Sequence, residues 1–160
     1  MSDPLATYLH DHLAGSNFAI ELLGSLRDQY SGELLGGFAA ALLIEIAEDR
    51  QILQTILDPI GKTSPDLKQA AAWLGEKVSR FKLKRGSGNG LGSFQALETL
   101  GLGILGKLAL WRALAVIAEN DDRVRGADLQ QLIKRAEEQH ARLEESRLQM
   151  ARTVFRATSK

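Results

Sequence analysis

The sequence predicts an all-α protein, folded as an antiparallel four-helix bundle in a single domain over residues 1–160. Apolar residues recur at spacings of three and four over long segments, which is the helical period. Ala, Leu, Glu, Lys and Arg dominate these segments, and no strand-like alternation persists. A chain of this length can bury a real core, so one compact bundle is the expected arrangement.

Local signals place the ends of four long helices, which are expected over residues 4–30, 32–58, 92–119 and 127–156. Asp3 followed by Pro4 supplies an N-cap and a proline at the first helical position. The Ser31-Gly32 pair separates the first two helices, and Pro59 stops the second one. Short connections make the first helix pair with the second, and the third with the fourth.

The connection between the second and third helices is longer and contains a signal of its own. Ser64-Pro65-Asp66 repeats the capping device, which predicts a short extra helix over residues 65–81. A glycine-rich linker follows over residues 84–93. The third and fourth helices are then separated at residues 120–122. The bundle is therefore expected to contain one long crossover with an extra helix.

Composition excludes several classes of function. Twenty basic and twenty acidic residues give a formal net charge of zero, which argues against a dedicated nucleic-acid binder. The chain has no cysteine, which rules out disulfides and thiolate chemistry. The N-terminus lacks the pattern of a secretory signal, and charged residues interrupt the apolar runs before they reach a membrane span. We expect a cytoplasmic protein without a membrane or nucleic-acid partner.

Each long helix is predicted to carry one titratable residue in the middle of its apolar stripe. The stripe of the third helix, for example, groups Leu91, Phe94, Leu102, Leu105, Ala109 and Val116. The four central residues are His12, Glu45, Glu98 and His140, and further acids flank them. Burying an unpaired carboxylate costs several kcal/mol, so these groups need a metal or one another.

Opposed positions along the predicted hairpins favour two local pairs, His12 with Asp49 and Glu98 with Arg147. Glu45 is harder to pair. A metal or a bound water could satisfy it, and so could a basic residue of the third helix such as Arg112.

The chain resembles the ferritin-like superfamily, whose bundles hold two metal ions with a Glu from each of two helices and a Glu-x-x-His from each of the others. Glu137 and His140 match one Glu-x-x-His, and Glu98 matches a lone Glu. Glu45 and Glu48 have the same spacing with Glu in place of His. The stretches GKLALWRAL and AAAWLGEKV resemble an uncharacterised bacterial branch of this superfamily. The resemblance implies an iron or manganese site with Glu45, Glu98, Glu137, His140, His12 and Glu48 as its candidate ligands.

Three functions stay open at this level. The first is a bundle without a complete metal centre that acts through protein contacts, with a homodimer expected. The second is a di-iron or di-manganese bundle of oxidase-like or stress-response type. The third is a pocket for a small apolar ligand, because glycines and alanines of the second and third helices leave space. Gly101, Gly103 and Gly106 each weaken the third helix by about 1 kcal/mol, which close helix approach would offset.

Overall fold

The computed structural model describes residues 3–61, Glu76 and residues 88–157. Four long helices form this part of the chain: α1 (Pro4–Gln29), α2 (Leu34–Leu57), α3 (Leu91–Ile117) and α4 (Leu129–Val154). A 3-10 helix, Asp122–Val124, precedes α4. The all-α prediction is confirmed, and every helix end lies within two residues of its predicted position. The short helix predicted over residues 65–81 falls outside the described residues.

Two of the helices begin with the caps that their sequences encode. The Asp3 carboxylate accepts a hydrogen bond of 2.9 Å from the Leu5 backbone N–H, and Pro4 occupies the first helical position of α1. The Asp128 carboxylate accepts a bond of 3.0 Å from the backbone N–H of Gln131 at the start of α4. Each cap satisfies a backbone donor that the helix itself leaves without a partner.

The helices pack mainly in two pairs, α1 against α2 and α3 against α4, and smaller contacts join α1 to α3 and α2 to α4. Side chains fix which helix ends meet. The Tyr30 hydroxyl, just after α1, lies 2.8 Å from the Ser93 hydroxyl at the start of α3. Arg123, just before α4, pairs with Asp3 at the start of α1. The end of α1 therefore lies beside the start of α3.

The core consists of two separate apolar clusters. One lies around Leu9, Leu57 and Trp111, and the other around Leu23, Leu42 and Leu97. Every long helix contributes buried residues to both clusters. On each helix, a short segment whose residues belong to neither buried cluster forms a gap between the two sets. These gaps fall at the same level of the bundle, where the residues that bear on function are found.

The predicted stripe of α3 is wrong in part. Leu102 and Val116 are 71% and 66% exposed, and Leu105 is also exposed. The buried side of α3 instead carries residues such as Leu97 and Trp111. Apolar residues surround this helix on all sides, so its sequence period does not select one face for the core.

Close approach explains two of the glycines. A Cβ at Gly36, in the first turn of α2, would overlap with the backbone carbonyl of Tyr30. A Cβ at Gly101 would lie 3.2 Å from Leu143 Cδ2 of α4, so α3 and α4 approach closely there. Gly103 and Gly106 have no neighbour of this kind. The close approach expected for the α3 glycines is therefore confirmed at Gly101 alone.

The prediction that charged residues interrupt the apolar runs before they reach a membrane span is wrong for α3, which by length and composition is the one described helix long and apolar enough to cross a membrane. The core helix of a soluble protein passes the same test, so one such helix does not by itself indicate a membrane span.

Candidate functional site: a buried polar layer and the adjoining cavity

A layer of polar side chains separates the two apolar clusters. Asp49 of α2 is 2% exposed and Gln139 of α4 is fully buried. Lys107 of α3 joins them, and its side chain is only 13% exposed. Each of these residues lies in the gap between the two core contributions of its helix. We call Asp49, Lys107 and Gln139 the polar layer.

Hydrogen bonds join the three members of the polar layer, although the buried Asp49 Oδ1 accepts none from the described residues. The Lys107 ammonium donates to Asp49 Oδ2 and to the amide oxygen of Gln139. Gln139 Nε2 donates to Asp49 Oδ2 and to Glu45 Oε2, each at 3.1 Å. The Gln139 amide therefore accepts from the cation and donates to both carboxylates. Buried polar groups need partners of this kind, since an unsatisfied group costs about 1–3 kcal/mol.

Two arginines of α4 extend the layer towards the surface. Arg135 pairs with Glu48 at 2.5 Å, and its Nε lies 3.5 Å from Asp49 Oδ1. Arg142 pairs with Glu45 at 2.6 Å. Three acids therefore meet three basic side chains, and the extended layer is electrically balanced.

Burial and pairing act in opposite directions on the pKa values of the charged groups in this layer. Burial lowers the pKa of Lys107, although Asp49 opposes that shift. Burial opposes the charge of Glu45, but hydrogen bonds from Arg142 and Gln139 outweigh it and lower the pKa of this carboxyl. Glu45 therefore remains ionised at neutral pH beside its partners.

A cavity of about 920 Å³ adjoins the polar layer and lies among α1, α2 and α3. Most of its lining is apolar, with Leu23, Leu42, Ile46, Leu53, Leu100, Ile104 and Leu110 among the contributing side chains. Asp49 and Lys107 contribute charged groups to the wall. Gly15 and Gly103 also line the cavity and are exposed, so it opens to the surface there. Its volume falls in the range of about 300–1,000 Å³ that is typical of small-molecule sites.

Aromatic and imidazole groups complete the wall. His12 lines the cavity and packs edge-on against the Tyr8 ring, with 4.7 Å between ring centroids. Burial lowers the pKa of His12, although Asp11 opposes this shift, so the imidazole is neutral at pH 7. Trp111 also lines the cavity. Its indole N–H is buried and has no hydrogen-bond partner among the described residues.

The prediction that the candidate ligands are buried in the bundle interior is wrong in part. Glu98 pairs with Arg147 at 3.1 Å, as predicted, but its side chain is 48% exposed and not buried. His140 is half-buried. The central positions of the predicted stripes are therefore displaced from the true interior, which holds Asp49 and Gln139 instead.

Two expected partnerships are also corrected. Within the described residues, no hydrogen bond joins His12 to Asp49, whose Oδ2 accepts from Lys107 and Gln139 instead. Glu45 takes its basic partner from α4, where Arg142 lies 2.6 Å away. The suggested partner Arg112 instead binds Glu137 at 2.8 Å, on the surface.

The acids among the described residues lie beside basic side chains and do not gather around one point. Among the side chains that the structure describes, no three His, Asp or Glu residues lie where they could hold one. Glu45, Glu48 and Asp49 each face a basic side chain that a metal would have to displace. The iron or manganese site therefore stays a prediction. Metal that is retained stoichiometrically without chelators, and lost in Glu45→Ala and His140→Ala, would establish it.

Sequence reasoning missed Lys107 and Gln139 as members of the site. Lys107 is the one charged residue in the middle of α3, between Glu98 and Arg112. A lysine flanked by apolar residues on both sides within a 27-residue apolar helix signals a buried partner, since lysine is almost never fully buried unless paired. Gln139 carries no charge and gives no comparable signal.

Comparison of the chain with protein-family models, with curated proteins and with solved structures finds no match. The polar layer and the cavity are therefore the basis for a functional conclusion.

Proposed function

We propose that this protein binds a small, mainly apolar molecule in the cavity among α1, α2 and α3. The observation that carries the proposal is a cavity of about 920 Å³ with an apolar lining that ends on buried polar groups. Such a combination is the usual form of a small-molecule site, in which apolar walls supply affinity and a few polar groups fix orientation. Gly103 and Gly106 support it, because both line the cavity and neither is needed for helix contact.

Blocking the mouth of the cavity tests the proposal. A Cβ at Gly15 or Gly103 would meet open space, so Gly15→Phe/Gly103→Phe should fold and fill the opening. 2-Octanone is a suitable probe, and a ligand that binds only the folded state raises the melting temperature. We expect 2-octanone to stabilise the wild-type protein and to lose this effect in the double variant.

A matched control separates blocking from a general effect of added aromatic residues. Gly37 is also helical, exposed and open at its Cβ, but it lies outside the cavity. Gly37→Phe should respond to 2-octanone as the wild type does. An equal response in the blocked variant, or none in any of the three proteins, would contradict the proposed function.

We further propose that the four helices form an antiparallel bundle of ferritin-like connectivity. The end of α2 supports this, because a Cβ at Gly61 would lie 3.2 Å from Ala6 near the start of α1. The start of α3 lies instead at the opposite end of α1, where Tyr30 contacts Ser93. The second and third helices would then run in the same direction, which requires the long crossover that ferritin-like bundles have.

A homodimer is a second candidate role, favoured by an exposed apolar face of α3. Leu102, Leu105 and Val116 share this face, because their spacings bring them within about 60° around the helix. Glu98 and Arg112 lie on the same side, each seven residues from Leu105. Two copies crossing antiparallel at Leu105 would bring Glu98 of each, with its partner Arg147, near Arg112 of the other, with its partner Glu137. This charge complementarity suits a self-associating face.

Sedimentation analysis tests the dimer without reference to the cavity. Leu105→Glu would place two like charges at the centre of the pairing and should give a monomer. Ile44→Glu is the control, since Ile44 is an exposed apolar residue of α2 away from that face. A wild-type monomer, or a dimer that survives Leu105→Glu, would argue against the α3 interface.

A further inference from the structure

Arg50 of α2 lines the cavity, and no acid among the described residues pairs with it. Its Nε–H donates to Asn17 Oδ1 of α1 at 2.5 Å, which holds the guanidinium against α1. Within the described part of the chain, neither terminal nitrogen of Arg50 has a hydrogen-bond partner, and neither is fully buried. The two terminal NH₂ groups are therefore accessible to a ligand.

The contact with Asn17 places Arg50 at the level of the cavity mouth. Asn17 is two residues from Gly15, about 3 Å along α1, and Gly15 is exposed where the cavity opens. Arg50 is itself half-buried. An arginine in such a position lays its aliphatic stem along apolar surface and keeps its charge towards water. A ligand with its polar end at the mouth would meet the guanidinium, and its apolar part would lie among the leucines and isoleucines of the wall.

The other charged groups of the wall favour a single negative charge on that polar end. Lys107 pairs with Asp49, whose second oxygen is buried 3.5 Å from Arg135 Nε. Asp11 also lines the cavity, but it is exposed, so water weakens its field more than that of the half-buried Arg50. A guanidinium binds a carboxylate through two parallel N–H···O bonds, and one carboxylate carries the one charge that Arg50 balances.

We propose that the cavity binds an aliphatic carboxylate of the fatty-acid class, with its carboxylate on Arg50 at the mouth and its hydrocarbon chain along the leucine and isoleucine wall. This inference rests on the proposed function and specifies the ligand class of the same site. The apolar wall supplies affinity for the chain, and the guanidinium selects the head group because a half-buried charge pair is less weakened by water than an exposed one.

The decisive measurement is calorimetric titration at pH 7 with three probes of equal carbon number, octanoate, 2-octanone and octylamine. Arg50→Gln removes the charge and keeps a polar side chain at this half-buried position. We expect the variant to bind octanoate about tenfold more weakly, the equivalent of one hydrogen bond between charged groups. Its binding of 2-octanone should change by less than about threefold, since this probe carries no charge.

Two controls separate the proposed contact from a general effect of charge. Arg152→Gln removes the same charge from the exposed last turn of α4, outside the cavity lining, and should leave octanoate binding unchanged. The blocked variant Gly15→Phe/Gly103→Phe should lose octanoate binding together with 2-octanone binding. Wild-type protein gives a comparison without any substitution, since it should bind octanoate more tightly than octylamine.

The outcomes separate this inference from the proposed function. If 2-octanone binds, and octanoate binds wild type and Arg50→Gln equally, the role of Arg50 is overturned while the cavity remains a ligand site. Tighter binding of octylamine than of octanoate would overturn the choice of a carboxylate. Octanoate binding that survives in the blocked variant would place the anion outside the cavity and overturn the inference as well. If neither 2-octanone nor octanoate binds, both the proposed function and the inference fail.

Discussion

Replacing Lys107 by methionine should destabilise the protein through the carboxylate that it leaves behind. Removal of one partner from a buried ion pair costs about 3–5 kcal/mol, because the other charge stays buried without compensation. Asp49 would keep a 3.1 Å hydrogen bond from Gln139 and the Arg135 guanidinium 3.5 Å away. The free energy of unfolding should therefore fall by about 3 kcal/mol, near the lower end of that range. A fall of this size lowers the melting temperature by roughly 6–12 °C.

The double variant Asp49→Leu/Lys107→Met tests the cause. Replacing a buried ion pair by apolar residues of similar volume is often neutral, so the double variant should recover the part of the stability loss that the uncompensated carboxylate causes, and only the Gln139 amide oxygen would still lack its donor. Urea unfolding followed by circular dichroism measures all the variants. Lys134→Met, on the exposed side of α4, is the control and should leave the unfolding midpoint unchanged. This reasoning would be refuted if Lys107→Met lowered the free energy of unfolding by less than about 1 kcal/mol, or if the double variant were as unstable as Lys107→Met.

Two further predictions concern pH and close packing. Burial lowers the pKa of His12 below its ordinary value of 6.5, so the unfolded chain binds a proton more readily than the folded one. The free energy of unfolding should therefore fall as the pH drops below about 6.5. His12→Gln should reduce this dependence of the unfolding free energy on pH, measured by urea titration between pH 8 and pH 5. An unchanged dependence would exclude His12 as its source. Gly36→Ala should lower stability by about 1–3 kcal/mol in the same assay, because its Cβ would overlap with the backbone of Tyr30. Gly37→Ala, where the Cβ meets open space, should instead raise stability by up to about 1 kcal/mol, and equal effects at the two positions would contradict the packing argument.

Helix positions could be predicted from sequence because their signals are local. The Asp3 carboxylate caps α1 through a backbone group only two residues away. Such contacts lie within the reach of one or two helical turns, and the sequence displays them directly.

The Glu98–Arg147 pair shows how far hairpin geometry extends that reach. A short connection between α3 and α4 fixes which levels face each other, and the observed 3.1 Å pair follows from it. Its exposure could not be predicted in the same way. Exposure depends on the rotation of each helix about its own axis, and a shift of one residue turns a side chain by about 100°.

The same rotation explains why the interior holds Asp49 and Gln139 while the predicted centres were Glu45 and His140. Glu45 and Asp49 lie on adjacent turns of α2, and His140 is the next residue after Gln139. The sequence thus indicated polar groups at the middle of the bundle but selected neighbours of the buried ones.

By itself, the sequence determined that this is an all-α protein with four long helices, and that ionisable residues interrupt the apolar stripes halfway along them. Only the tertiary structure decided which of those residues meet. It joined Lys107 to Asp49 and Gln139 from three different helices and left a cavity beside them. The reason is physical, since helical periodicity is a property of consecutive residues. Burial, pairing and empty space depend on how separate helices rotate and approach one another.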